Sequence, residues 1–347
     1  MIQKGKWLAV VAVVIGFAVG PALAASLTDE LGGEDLIRAA KQEGKVVVYT
    51  ANILALAKTM ETNFRKRFPE VKVELVRLGG GALHRKIMTE HSAGKLVADV
   101  IEMSDRGLMR QEMEAGVIGK HTIPTDDRYP ADTKIPGVVY PGCTYIYLVA
   151  YNPLIVKDPP KSWMDLVDPR FKGQLGLVPA ELGGTPWMTA LFQYQVLGNN
   201  SDSYWKKLAA QKPRFFTSAA GIGKTLISGE TPVAVALDVV SAADIKRDAP
   251  VKYVYPPEGV VMIIFNNAVT TVARNPNAAK LWMNWTHSRE GQEVWTKQIG
   301  GLSPRSDIDP PATAPRNVKV WQATEDDFVK LRSSYTKRWN EIFDYKP

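Results

Sequence analysis

Between Lys45 and Glu102 the hydrophobic pattern switches period repeatedly, and few folds accommodate that. Val46, Val47 and Val48 lead through Tyr49 into Thr50-Ala51-Asn52, after which Leu54, Leu56, Ala57, Met60 and Phe64 recur at helical spacing. Beyond Pro69 the apolar residues Val71, Val73 and Leu75 alternate with Lys72 and Glu74, as in a strand. Gly79-Gly80-Gly81 then opens a second helix through Leu83, Ile87 and Met88, and Val97 to Ile101 is a third apolar run. Strand, helix, strand, helix, strand with short connections predicts right-handed crossovers onto a parallel sheet, an α/β architecture.

In such a sheet each loop at the carboxyl end of a strand meets the start of a helix, and ligands bind in the crevice outside those ends. The three loops here are Thr50 to Ile53, Gly79 to Ala82 and Met103 to Arg106. All are polar or glycine-rich. Helix starts carry unpaired N–H groups and a partial positive charge, so the arrangement suits a carboxylate, a phosphonate or another anion.

The grammar repeats after a break. Gly119 to Pro141, rich in Pro, Thr and Asp, reads as loop, and Val138 to Tyr151 as a long extended segment crossing between lobes. Pro160 to Leu166 reads as a helix and Gln174 to Val178 as a strand. Thr185 is the expected N-cap, and Pro186 the first residue, of a helix reaching Leu197. Thr217-Ser218 opens another helix, Pro232 to Leu237 is an apolar strand, and Asp238 to Asp248 reads as helical. Val260 to Ile264 is the expected return crossing. Asn275-Pro276 and Ser288 start further helices, and Thr324 with Asp327 suggests a capping box for a final helix carrying Phe328, Leu331, Tyr335, Trp339, Ile342 and Phe343.

The first 24 residues join Lys4 and Lys6 to an apolar run from Trp7 to Val19 and the small-residue site Ala22-Leu23-Ala24, so cleavage of a secretory signal after Ala24 is expected. The remaining chain is long enough for two lobes. The formal charge of +7 falls to +5 without Lys4 and Lys6, and it is spread without an arginine-rich run, which argues against nucleic acid. One cysteine, Cys143, excludes an intrachain disulfide, and its apolar surroundings mark it as buried packing.

Several chemistries lack their residues. The glycine triplet fails as a dinucleotide fingerprint because His84 stands where the third glycine belongs, and Ser218 replaces the first glycine of a phosphate loop ending at Gly223-Lys224-Thr225. His84, His91, His121 and His287 form no metal-ligand spacing, and no G-x-S-x-G elbow occurs. No cofactor, metal or catalytic residue is assigned.

Taken together, VVVYTA, VRLGGGALHRKI, ADVIEMSD, SWMDLVDPRFKGQLGL and NPNAAKLWMNWTHSREGQEVWTKQIGGLSPRSDI resemble the bacterial extracellular solute-binding proteins of the ferric-iron, thiamine and phosphonate group. The resemblance covers nearly all of the chain after the signal. It implies a periplasmic binding protein-like (type II) α/β fold whose two lobes, residues 27–143 plus 262–303 and residues 144–261 plus 304–347, are joined by crossing strands. It also implies a periplasmic, non-enzymatic, monomeric protein that closes on a small solute and delivers it to the permease and ATPase of an ABC importer.

The site expected from the strand-end loops comprises Thr50, Asn52, Gly80, Gly81 and Ser104 on one lobe, facing Gly184, Thr185, Thr217, Ser218 and Asp238 on the other. The solute expected is a small organic anion or zwitterion, a carboxylate or phosphonate. Asp238 suits a ligand that also carries an amine. The alternatives are a ferric-iron site of unusual, tyrosine-poor composition and an exported enzyme using the same cleft. Iron-binding members use a histidine after the first strand, an acid near the second loop and a late tyrosine pair, where this chain reads Asn52-Ile53, Gly81-Ala82-Leu83 and Asp238-Val239-Val240.

Overall fold

The computed structural model describes residues 27–239, 248–310, 318–323 and 325–346. The expected signal peptide, most of the helix expected over Asp238 to Asp248, and the cap at Thr324 lie outside the described residues. The opening crossovers form as the pattern predicts. Strand β1 (Lys45–Thr50) lies between β2 (Lys72–Arg77) and β3 (Val100–Met103), parallel to both, with Thr50 opposite Arg77 on one side and Glu102 on the other. The helices Leu54–Arg67 and Gly80–Ser92 connect them.

The long strand β4 (Tyr140–Tyr151) shows why the middle of the chain is so apolar: all but its last residue is buried. A strand covered on both faces of its sheet needs continuous rather than alternating hydrophobicity. A second parallel set comes next, β5 (Leu175–Leu177) between β6 (Arg214–Phe215) and β7 (Val233–Leu237). After β8 (Lys252–Val254) comes β9 (Val260–Val269), which runs antiparallel to β4 from Tyr140 to Tyr147 and then passes to β3. Strand β4 passes the other way, to β7. With β10 (Val320–Trp321) on β9 and β8 on β4, the described strands form one sheet of order β2-β1-β3-β9-β4-β7-β5-β6. The antiparallel pair β4 and β9 thus joins two parallel halves.

Aromatic packing fixes the helices on this sheet. Phe64 meets Trp282 and Trp285 edge-on with ring centroids 5.0 and 5.5 Å apart, which pins the helix Leu54–Arg67 to the helix Pro276–His287. In the second half, Trp339 stacks on Phe343 and meets Phe215 at the sheet edge.

Three local expectations change. Pro160 to Leu166 is not an α-helix. The Asp165 carboxylate accepts from the backbone N–H of Lys161 and Ser162 at 2.7 and 3.1 Å, holding a turn, and short 3₁₀ turns at Met164–Val167 and Pro169–Phe171 come after it. The final helix breaks at Leu331 into Glu325–Lys330 and Arg332–Phe343. Thr185 lies inside the helix Gly184–Phe192 rather than capping it, because its hydroxyl is engaged by Ser104.

Candidate functional site

Six strand-end loops and the crossing strands surround one cavity of about 460 Å³. The first half contributes Ala51, Ile53 and Leu54 after β1, Arg77, Gly79 and Gly80 at the end of β2, and Ser104 after β3. The second half contributes Val178 and Leu182 to Pro186 after β5, Thr217 to Ala220 after β6, and Leu237 of β7. Tyr145 and Tyr147 of β4 and Phe265 of β9 form the floor.

Helix starts dominate both walls. The helices Leu54–Arg67, Gly80–Ser92 and Gly184–Phe192 begin at Ile53, Gly79 and Gly183 without a side-chain cap, so no cap side chain satisfies their first N–H groups. The helix Ala219–Ser228 differs: Ser218 Oγ accepts from the Gly221 N–H at 3.3 Å. Arg77 supplies the charge. Among the lining residues it alone is ionic, and its Nε donates to the Asn52 carbonyl at 3.0 Å, which orients the rest of the guanidinium.

Of the expected site residues, Gly80, Ser104, Gly184, Thr185, Thr217 and Ser218 line this cavity. Ser104 and Thr185 meet across it, hydroxyl to hydroxyl, at 3.1 Å. Gly184 sits against the other half so closely that a Cβ there would lie 3.0 Å from Asp105 Cα and 3.1 Å from its N, so any larger residue would push Asp105 back by a few tenths of an ångström. The Asp105 carboxylate caps the helix Arg106–Glu114 through Leu108 N at 3.2 Å and pairs with Arg332 of the last helix.

Thr50, Asn52, Gly81 and Asp238 stand elsewhere. Thr50 and Asn52 are buried, and their side chains are spent on Glu102: Thr50 Oγ1 donates to Glu102 Oε2 at 2.5 Å, and Asn52 Nδ2 to Glu102 Oε1 at 2.9 Å. Asn52 Oδ1 also accepts from Ile53 N at 2.7 Å and from the Tyr145 hydroxyl. Burial pushes the Glu102 carboxyl up, against the pull of its bonds to Thr50 and Asn52. Gly81 is outside the lining, with the Arg85 side chain 3.6 Å from where its Cβ would be. The Asp238 carboxylate turns onto β4, accepting from Ile146 N at 3.1 Å, and burial raises it to about 7.

Sequence reasoning missed Arg77, Glu102, Tyr145 and Tyr147. Arg77 reads as the polar end of a strand. Glu102 had a signal: an acid ending an apolar run at a strand's carboxyl end, where a cavity is expected. The two tyrosines share one face of β4 by period 2, visible in TYIYLVAY once the strand is known to run along the cavity. Among the described residues no group of three or more acidic, histidine or cysteine side chains forms a metal cluster. Cys143 is buried, and burial pushes its thiol up.

Residues 96–326 match the family described as bacterial extracellular solute-binding protein. A Salmonella typhi relative, described as a candidate 2-aminoethylphosphonate-binding periplasmic protein, is 25% identical over 290 residues, covering 78% of this chain and 83% of that protein. Among solved structures, the substrate binding protein of an ABC transporter from Agrobacterium tumefaciens superposes with a TM-score of 0.77 at 20% identity, covering 86% of this chain and 94% of that one. The periplasmic binding protein AfuA from Actinobacillus pleuropneumoniae, with exogenous fructose-6-phosphate bound, superposes with a TM-score of 0.74 at 21% identity, covering 87% and 99%. The fold is that of the periplasmic binding proteins, as the family resemblance implies.

Proposed function

The chain belongs to the bacterial extracellular solute-binding protein family, and from that premise we propose that it is the periplasmic binding component of an ABC importer, carrying a small organic anion. The observation that carries this reading is the cavity's electrostatics: one guanidinium, Arg77, and the uncapped starts of three helices, with no carboxylate among the lining residues. Its volume lies within the range of small-molecule sites. Bonds from such donors to a charged acceptor contribute about 1.5–3 kcal/mol each, and a few of them reach micromolar affinity.

A zwitterion remains the second reading. Asp238 is turned away, so an amine would lie against the faces of Tyr145 and Phe265, whose rings meet edge-on at 5.2 Å. Ferric iron is less well served. Burial pushes both cavity phenols, Tyr145 and Tyr147, above their ordinary range, which opposes the phenolate form that iron requires.

In this reading the two halves of the sheet are the lobes, with the boundaries expected from the sequence, and β4 and β9 are the hinge. A solute touching both walls favours the closed form, which the permease and its ATPase recognise. The protein binds without catalysis, as a monomer, after its signal peptide is removed near Ala24.

Calorimetry against phosphonates, sugar phosphates, carboxylates and Fe³⁺ tests the reading, together with mass spectrometry of copurified solute. An anion at about 100 times its dissociation constant should add roughly 2.7 kcal/mol of stability. Arg77→Ala should weaken that anion about 10- to 100-fold. Binding that is indifferent to Arg77 overturns the assignment.

A further inference from the structure

Tyr145 and Tyr147 point to the same face of β4 and line the same cavity, yet their hydroxyls are treated differently. The Tyr145 hydroxyl donates to Asn52. Tyr147 is only 3% exposed, and its hydroxyl has no hydrogen-bond partner among the described residues. Its strand neighbours are the apolar Leu237 and Val261, so nothing on the adjoining strands is placed to receive it. Among the described residues the buried polar atoms left without a partner do not include this hydroxyl, which therefore opens onto the cavity, where an occupant can accept from it.

We propose that Tyr147 is the specificity-determining residue of the cavity, donating a hydrogen bond to a neutral oxygen on the organic body of the solute while Arg77 and the helix starts hold its anionic head. The inference rests on the reading that the solute occupies this cavity. Arg77 ends β2 and Tyr147 lies on β4, with β1, β3 and β9 between them, so the two side chains enter the cavity from separate strands. A solute that engages both presents its charged group to Arg77 and a second, neutral acceptor to Tyr147. The solute class is therefore an organic anion that also carries a hydroxyl, ether or carbonyl oxygen. Burial raises the phenol, so it stays a donor throughout the physiological range.

Calorimetry on the mature chain with fructose 6-phosphate and with methylphosphonate separates the possibilities. Tyr147→Phe should weaken fructose 6-phosphate about tenfold and leave methylphosphonate within about twofold, as expected for one lost hydrogen bond. The melting temperature of the free variant should stay equal, because a hydroxyl that opens onto the cavity holds no other part of the protein in place; a purely structural tyrosine would instead lower it. Equal affinity of variant and wild type for fructose 6-phosphate overturns the inference and leaves the anion site standing. Equal loss for both probes, or a lowered melting temperature, overturns it in favour of a packing role. If the wild type binds neither probe, the anion reading falls and takes the inference with it.

Discussion

The two walls of the cavity are built on opposite plans. In the first half most strand-end side chains are consumed before any solute arrives: Thr50, Asn52 and Tyr145 converge on Glu102 and on one another, which leaves Arg77, Ser104 and the helix starts facing inward. In the second half the hydroxyls of Thr217 and Tyr147 remain at the surface of the cavity. One wall is braced and the other is open to new bonds. The difference teaches that a polar loop at a strand's carboxyl end has two uses, and that a single buried acid decides which one a given loop serves.

Removing that acid is the strongest way to break the contrast. Glu102→Ala leaves Thr50 Oγ1 and Asn52 Nδ2 without their acceptor beneath the cavity. Two stranded donors cost about 1–3 kcal/mol each when buried, so urea denaturation should show a loss of roughly 2–6 kcal/mol. Glu102→Gln, which keeps one acceptor oxygen, should recover about half. If Glu102→Ala unfolds at the wild-type midpoint, the first wall is not braced by this acid.

A smaller effect comes from the opposite side of the sheet. Asp238, at the end of β7, is raised to about 7 by burial while accepting from Ile146 N. Its folded form therefore holds the proton more tightly than the unfolded chain, whose aspartate titrates near 3.9. The native state binds more protons between about pH 4 and 7, so this group's contribution to stability falls as pH rises through that window and is level above it. The full shift would correspond to about 4 kcal/mol, and partial access to water reduces this to about 1–2. Comparing Asp238→Asn with the wild type at pH 4.5 and 7.5 should show a flatter dependence in the variant. Parallel curves would place the pH dependence elsewhere.

These two acids also mark what the sequence made legible. The crossovers from Lys45 to Glu102, the long crossing strands and the helix starts emerge from period and from glycine and proline placement, because those are local properties of the chain. Of the expected glycines, Gly80 and Gly184 line the cavity and Gly81 does not, since a glycine beside a helix start is legible locally but its exact place in the turn is not. Ser104, Thr185, Thr217 and Ser218 carried over too, but Thr50, Asn52 and Asp238 did not, because a side chain's partner depends on which strand lies beside it. Thr50 and Asn52 look like ligand donors until Glu102, some 50 residues away in the chain, is seen one strand over. Arg77 and Tyr147 look like strand residues until the same pairing turns them inward. Pro160 to Leu166 misled for a related reason: the Asp165 carboxylate captured backbone N–H groups that a helix would have left to solvent.

The smallest expected effect lies where the two walls touch. The Ser104 and Thr185 hydroxyls are 3.1 Å apart, beside the close fit of Gly184 on Asp105 and the ion pair of Asp105 with Arg332. Ser104→Ala deletes one neutral hydrogen bond and leaves those neighbours in place, so the closed arrangement should lose only about 0.5–1.5 kcal/mol. If the halves must part before a bound anion escapes, that loss shows in release rather than capture. Stopped-flow measurement with fructose 6-phosphate should show dissociation about 2- to 10-fold faster with association nearly unchanged. A change confined to association would mean that Ser104 guards the entrance to an already open cleft, and the braced wall would then act alone in holding the solute.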